Sequence, residues 1–350
     1  MDGDSALRGL ADELGVELAE SGVDYLRREA PRGASVEEQD EALAVARSEL
    51  ARLPEEQLRT RSLGVFIDGL PVSDRQRATL RARIQGSVSA DLDRITLRIT
   101  EAERAFHFGS SVYRRAAEGN QRIADAMAKE VGDIRLGHVV EELEDDGTTV
   151  HARGNGFDVA ASVAVVAVPA PVAATLSFRP ALPADQARAL AELPMGVASK
   201  LAAATEESPS ARALQDVEVP YWCWVARGGG DEARPVVAAF AGSPIAQERL
   251  RTASGDPASW MEHLRSMNPD VRFSGEAVMK TWADDPFARG SYSAFDGRSW
   301  DRTELLAQPF GRISFAGEHA AAPHHYATMN GAVLSGLRAA EEITSRLRRD

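Results

Sequence analysis

The residues best suited to chemistry fall in three short stretches. Lys200 ends the run Leu193-Pro-Met-Gly-Val-Ala-Ser-Lys200, and it is one of three lysines among 40 basic residues. An ammonium at the end of an apolar, β-patterned run is a preorganised positive charge, able to stabilise negative charge that develops in a water-poor site. The stretch Trp282-Ala-Asp-Asp-Pro-Phe-Ala-Arg-Gly-Ser-Tyr-Ser293 places Trp282 ahead of Ser291 and Tyr292, so one turn carries two aromatic faces and a hydroxyl. The third stretch runs Arg312-Ile-Ser-Phe-Ala-Gly-Glu-His319 and, after a loop, Met329-Asn-Gly331. Gly317 permits close backbone approach, and Glu318 supplies a carboxylate. A helix opening at Met329 and Asn330 offers free N–H groups and a positive dipole end to an anionic group.

These residues need elements to hold them. Residues 5–20 read as a helix with Leu7, Leu10, Ala11, Leu14 and Leu18 on one stripe. From residue 36 to about 106 the pattern is helical, broken by Pro54 and Pro71, with a turn at Asp68-Gly69 and Ser73 placed to cap the next helix. A helix from about 118 to 127 precedes β-patterned runs at 134–140, 150–153 and 157–168, with turns at Asp145-Asp-Gly147 and Gly154-Asn-Gly156. Pro169 ends the last of these, a helix spans 184–193, and strands at 217–226 and 236–241 flank the turn Arg227-Gly-Gly-Gly-Asp231. A strand at 313–315, a loop and a helix from Met329 close the chain, with Met329, Val333, Leu337, Ala340 and Ile343 or Thr344 as a core stripe. Strand, loop and helix in that order place the helix N-terminus at the strand's C-terminal edge, where open α/β sheets bind ligands. The fold class is α/β, mixed with α+β portions.

Composition narrows the function. The 350 residues are long enough for two domains with substantial cores, and 44% hydrophobic with 27% charged is ordinary for a soluble protein. No apolar run reaches the ~18 residues of a membrane span, and the acidic N-terminus is no signal peptide. The single Cys223 leaves no internal disulfide framework and fits a reducing cytoplasm. A net charge of −13 argues against nucleic acid as a partner. His319, His324 and His325 lack a fourth ligand and metal-site spacing, so no metal is expected.

The Gly-Glu and Met-Asn-Gly elements at this spacing resemble the C-terminal flavin motif of the FAD-dependent amine oxidases, the family of monoamine, polyamine and L-amino acid oxidases. The resemblance extends over nearly the whole chain. It implies a two-domain fold: 1–18 as a remnant of the FAD domain, 19–118 as the helical part of the substrate domain, and 119–193 as a second FAD segment. Residues 194–288 would be the substrate sheet and 289–350 the C-terminal FAD segment. In the family, the position of Lys200 delivers an ammonium that holds a water beside the flavin N5, and the position of Tyr292 supplies one wall of an aromatic cage; the resemblance makes both catalytic. It assigns Val140 to the adenine through main-chain groups, Trp282 and Ser291 to the flavin's surroundings, Gly317 and Glu318 to the ribityl–pyrophosphate region, and Met329 and Asn330 to the pyrimidine. Ser291 stands where some relatives carry the cysteine that bonds covalently to flavin, so FAD is expected to be non-covalent. Thr328 stands where many relatives place the second cage aromatic, with Tyr326 and His325 close by as substitutes.

One part of the family pattern is missing. The strand, G-x-G-x-x-G turn and helix that bind the ADP half of FAD do not occur, and Gly154-Asn-Gly-Phe-Asp-Val159 reads as a hairpin turn instead. Ala6-Leu-Arg-Gly-Leu-Ala-Asp-Glu-Leu-Gly-Val16 already resembles a family segment that follows that motif. Either another polypeptide supplies the motif or the form is truncated. The expectation is the larger, substrate-binding subunit of an amine oxidase that converts a C–N bond to an imine and O2 to H2O2. A small subunit carrying G-x-G-x-x-G would pair its strands beside residues 313–315 in a hetero-oligomer. The alternatives are a non-catalytic scaffold or regulatory subunit, and a flavin amine dehydrogenase with another electron acceptor.

Overall fold

The computed structural model describes residues 5–98, 113–226 and 235–348. Helix α1 (Ser5–Glu13) is followed by Gly15 at φ 65°, a conformation glycine adopts without strain, and the chain then enters β1 (Leu18–Glu20). The expected helix through residue 20 therefore stops short: Leu18 pairs with Ala116 on β2 (Arg114–Ala116) instead of extending the stripe. Helices α2 (Val36–Leu50), α3 (Glu55–Thr60), α4 (Leu63–Asp68) and α5 (Asp74–Val88) lie between them. Ser35 and Ser73 open α2 and α5 with capping boxes closed by Glu38 and Gln76. Leu43, Phe66, Ile67, Leu80 and Ile84 are at most 2% exposed, and burying each contributes about 1.5–3 kcal/mol. Part of the helical expectation, residues 99–106, lies outside the described residues.

After α6 (Gln121–Val131) come β3 (Glu142–Asp145), β4 (Val150–Gly154), β5 (Phe157–Ala161), β6 (Ala164–Val166), the short α7 (Ala170–Ala173), β7 (Ser177–Arg179) and α8 (Ala184–Glu192). Four of these strands form a sheet in the order β5-β4-β3-β7, and Asn155-Gly156 turns the β4–β5 hairpin with Gly154 opposite Phe157. The expected strand at 134–140 is absent. Ile134, Leu136 and Val139 are 49%, 86% and 49% exposed, and no described strand offers them a ladder. Hydrophobic patterning alone does not make a strand when no edge receives it.

Strands β8 (Ala198–Thr205), β9 (Arg212–Gln215), β10 (Tyr221–Val225), β11 (Val236–Gly242) and β12 (Phe273–Thr281) form an antiparallel sheet ordered β12-β8-β11-β10-β9. The expected turn at 227–231 lies outside the described residues. One face of this sheet packs Leu201, Ala203, Tyr221, Cys223 and Ala239 against α9 (Pro244–Leu250) and α10 (Ala258–Met267), through Trp260 and Leu264. The chain closes with α11 (Gly297–Trp300), α12 (Thr303–Ala307), β13 (Ile313–Phe315) and α13 (Met329–Leu347).

β13 pairs in parallel with β6. The expectation of a partner strand beside residues 313–315 meets an obstacle there. On the side of β13 away from β6, the main-chain groups of Ile313 bond to Phe310, and the Phe315 carbonyl accepts from Arg338. β6 has β13 on one side only among the described residues. Its Ala164 N–H and Val166 carbonyl bond toward β13, so by strand alternation the groups of Val165 point to the unpaired edge.

The stripe expected on α13 is also shifted. Met329 and Leu337 are 45% and 55% exposed, while Asn330, Gly331, Ser335 and Ala339 are buried. Close packing selects small residues here: a Cβ on Gly331 would sit 2.1 Å from the His325 carbonyl oxygen.

Candidate active site

The open face of the five-stranded sheet is built from one row of cross-strand pairs. Trp222 stands opposite Phe240, Phe240 opposite Lys200, and Lys200 opposite Lys280. Lys200 is the third residue of β8, between the buried Ser199 and Leu201, so strand alternation turns it away from the packed face. Its ammonium lies 5.7 Å from the centroid of the Trp282 ring. The side chain remains exposed, and the protein packed beside its stem desolvates the ammonium enough to hold its pKa below the usual lysine value.

The loop bearing Ser291 and Tyr292 is laced to the start of β8. Ser291 donates its N–H to the Gly196 carbonyl, Gly196 returns a bond to the Tyr292 carbonyl, and Gly290 donates to the Trp282 carbonyl. Gly196 has to be glycine, because a Cβ there would lie 2.7 Å from Ser291 Oγ and 2.9 Å from Ser89 Cβ. Tyr292 places its phenol at the end of α5, 2.7 Å from Ser89 Oγ, and donates to the Ser87 carbonyl.

Glu318 joins this loop to the start of α13. Its Oε1 accepts from the N–H and hydroxyl of Ser293, at 3.0 and 2.8 Å, and its Oε2 accepts from the Ala327 N–H at 2.6 Å. Gly317 adopts φ 138° and donates to Ser335 of α13. Thr328 caps α13, accepting from the Gly331 N–H. Lys200, Trp282, Ser291, Tyr292, Gly317, Glu318, Thr328 and Met329 thus belong to one connected patch.

Other residues singled out in the sequence sit elsewhere. Tyr326 is 2% exposed and packs edge-on against Phe295 and Trp300, with ring centroids 4.7 and 5.6 Å away, so it is a core residue and not a cage wall. The His325 ring lies 4.2 Å from that of His324, tilted by 50°. The Asn330 side chain accepts from the Leu7 N–H, fastening α1 to α13. Val140 packs against the main core just ahead of β3. Among the described residues no cluster of His, Cys, Asp or Glu suits a metal.

Sequence reasoning missed the far end of the row. The Arg28 guanidinium lies 3.9 Å over the Trp222 ring, Trp222 stacks on Trp224 at 4.3 Å, and Tyr25 meets both edge-on. Burial lowers the Arg28 pKa to about 9. It also missed Ser87 and Ser89, which no local pattern links to a tyrosine more than 200 positions away.

A parallel strand pair that leads into α13 and a separate five-stranded antiparallel sheet carrying Lys200 define the class as a mixed α/β fold. The flavin containing amine oxidoreductase model matches residues 16–344, and the chain belongs to that family, whose cofactor is FAD. Polyamine oxidase 4 of Oryza sativa subsp. japonica is 28% identical over 278 residues, covering 76% of this chain and 55% of that protein. Amine oxidase [flavin-containing] A of Equus caballus is 24% identical over 251 residues, covering 67% of this chain and 47% of that protein. The chain thus spans about half the length of the curated relatives it matches. The fold resembles that of cyclohexylamine oxidase from Brevibacterium oxydans IH-35A (TM-score 0.77, 19% identity, 99% of this chain and 86% of that one). It also resembles wild-type putrescine oxidase bound to putrescine (TM-score 0.80, 19% identity, 98% and 86%).

The patch can be tested for fit to FAD on its own atoms. Ser291 Oγ is buried with no hydrogen-bond partner among the described residues, a polar atom left for a ligand to satisfy. Ser291 shares its loop with Tyr292, the loop is bonded through Gly290 to Trp282, and Trp282 has the Lys200 ammonium 5.7 Å from its ring centroid. The isoalloxazine end fits. No glycine-rich strand-to-helix turn for the ADP end occurs among the described residues.

Proposed function

We propose that this chain is the substrate-binding part of an FAD-dependent amine oxidase, which oxidises a C–N bond to an imine and reduces O2 to H2O2. The observation that carries the reading is the Lys200 ammonium over Trp282, tied through Gly196 to Ser291 and Tyr292. When bound, FAD supplies the hydride acceptor and then passes the electrons to O2. The chain's own residues do the rest. Lys200 would hold a positive charge where negative charge develops, on a strand paired on both sides, with β12 and β11. Tyr292 and Trp282 present rings that accept an uncharged amine. The N-terminus of α13 is tied to the Tyr292 loop through Glu318, which bonds both Ser293 and Ala327. With serine at position 291 there is no thioether to form, so the cofactor is held non-covalently.

The ADP end calls for a G-x-G-x-x-G element. We assign it to a separate small chain whose strand adds to the unpaired edge of β6 at Val165, making a hetero-oligomer. Support comes from the free strand edge itself, where Val165 is 42% exposed and has no strand beside it on that side among the described residues. Among the described residues no helix is long and apolar enough to cross a membrane.

The test is to co-purify this chain with a candidate small subunit, record the visible spectrum, and assay peroxide with amines under air. Yellow protein that makes peroxide is the expected result. A colourless complex sinks the proposal in favour of a scaffold subunit, and flavin that amines reduce without peroxide marks a dehydrogenase.

A further inference from the structure

The geometry points to Ser89 as the residue that positions Tyr292, setting the plane of the ring at the candidate site; its link to amine oxidation rests on the function proposed above. Ser89 ends α5 in the left-handed conformation, φ 59° and ψ 24°, and is fully buried. Glycine adopts that conformation freely, whereas a serine is strained in it, so the backbone alone gives no reason for a hydroxyl here. The hydroxyl lies 2.7 Å from the Tyr292 phenol. Because the phenol proton goes to the Ser87 carbonyl, Ser89 is the donor and the phenolic oxygen the acceptor.

The surroundings leave Ser89 little freedom. Its carbonyl accepts from the Val197 N–H at 2.7 Å, which anchors it to the lead-in of β8, three residues before Lys200. A Cβ on Gly242 would come within 2.6 Å of Ser89 Oγ, and one on Gly196 within 3.0 Å of its carbonyl oxygen. Three chain segments therefore converge on this residue with no slack. The same helix turn reaches the far end of the row: Arg28, stacked on Trp222, donates to Ser87 Oγ at 3.2 Å. One helix terminus thus sets both aromatic surfaces of the site. With its proton donated and its oxygen accepting, Tyr292 offers substrate its ring face and not its hydroxyl.

Ser89→Gly tests this, because it tolerates the left-handed backbone and removes the donor. In the chain labelled with 3-fluorotyrosine, the 19F resonance assigned by Tyr292→Phe should shift and broaden in Ser89→Gly, while the other tyrosine resonances stay in place. In the assembled flavoprotein, amine-driven flavin reduction should slow roughly 10- to 100-fold, the scale expected for a misplaced positioning group, with reoxidation by O2 unchanged. Ser89→Ala, which keeps the Cβ and loses only the hydroxyl, should slow flavin reduction as Ser89→Gly does. An unmoved Tyr292 resonance overturns the inference. So does equal slowing of both half-reactions, which is the sign of general damage. If no amine reduces the flavin, the oxidase proposal fails, and the 19F result on the chain still decides the role of Ser89.

Discussion

Glu318 holds Ser293 by two hydrogen bonds to one carboxylate oxygen while its other oxygen holds the Ala327 N–H. A residue whose motif suggests ligand binding is thus also a bracket between the Tyr292 loop and the N-terminus of α13. Glu318→Ala would leave two backbone N–H groups without their acceptor, and hydrogen bonds to a charged group contribute about 1.5–3 kcal/mol each. The expected loss is about 3 kcal/mol or more in urea unfolding. Glu318→Gln keeps one acceptor oxygen but must turn an NH2 toward either Ser293 or Ala327, so it should fall between wild type and alanine. Equal stability for Glu318→Ala and wild type would remove the bracket from the account.

Lys200→Met should separate chemistry from folding. The lysine's pKa is depressed by desolvation, so the folded chain holds fewer protons than the unfolded one as pH approaches the unfolded value of 10.5. Stability then rises with pH on the way to 10.5, and methionine should flatten that rise without lowering the melting temperature. In the assembled flavoprotein, reoxidation should slow roughly 100-fold, as when a single preorganised charge-stabilising group is removed. Stopped-flow mixing of the reduced enzyme with O2 reads this directly. Unchanged reoxidation would leave Lys200 as an ordinary strand residue.

What the sequence reveals of this site depends on how local the signal is. The caps at Ser35 and Ser73 are written in four consecutive residues each, and Lys200 stands out as a lone cation in an apolar strand. Ser89 and Arg28 carry no such mark, since their partners Tyr292 and Gln215 are 203 and 187 positions away. Tyr326 and Tyr292 are equally plausible cage walls as letters, and only packing against Phe295 and Trp300 puts the former in the core. The α13 stripe misleads for a related reason. A search for large apolar residues overlooks a helix that docks through Gly331, Ser335 and Ala339. Residues 134–140 have strand composition, but a ladder is a property of two segments, and the pattern of one does not show whether the other is at hand.

His319 gives a pH signature. It is 3% exposed, and burial pushes its pKa below 6.5, opposed by the neighbouring carboxylate of Glu318. A histidine kept neutral in the fold but free to protonate when unfolded favours unfolding as pH drops below 6.5, with its stability contribution fully present above that value. His319→Gln should therefore flatten the fall in melting temperature between about pH 6.5 and 5 while leaving alkaline stability alone. A mutant and wild type that lose stability in parallel across that range would mean other groups carry the acid limb.

The unpaired edge of β6 makes the sharpest prediction about assembly, because proline can be put there at little local cost. The N–H of Val165 points away from β13, so Val165→Pro removes no bond that the described ladder uses, and proline is tolerated at edge positions whose N–H is free. The folded chain should keep a melting temperature close to wild type. A strand arriving from the G-x-G-x-x-G chain would lose a donor and meet the proline ring, so the complex should not form. Leu136→Asp, at a side chain 86% exposed, should weaken the association if the small chain also covers this side chain. Val65→Asp is the control, at an exposed apolar side chain (55%) on α4, an element that pairs with neither β6 nor β13. Light scattering of the mixed chains measures all three. If Val165→Pro assembles with the small chain as wild type does, the added strand does not lie along β6, and the nucleotide end of the cofactor must be completed from another side.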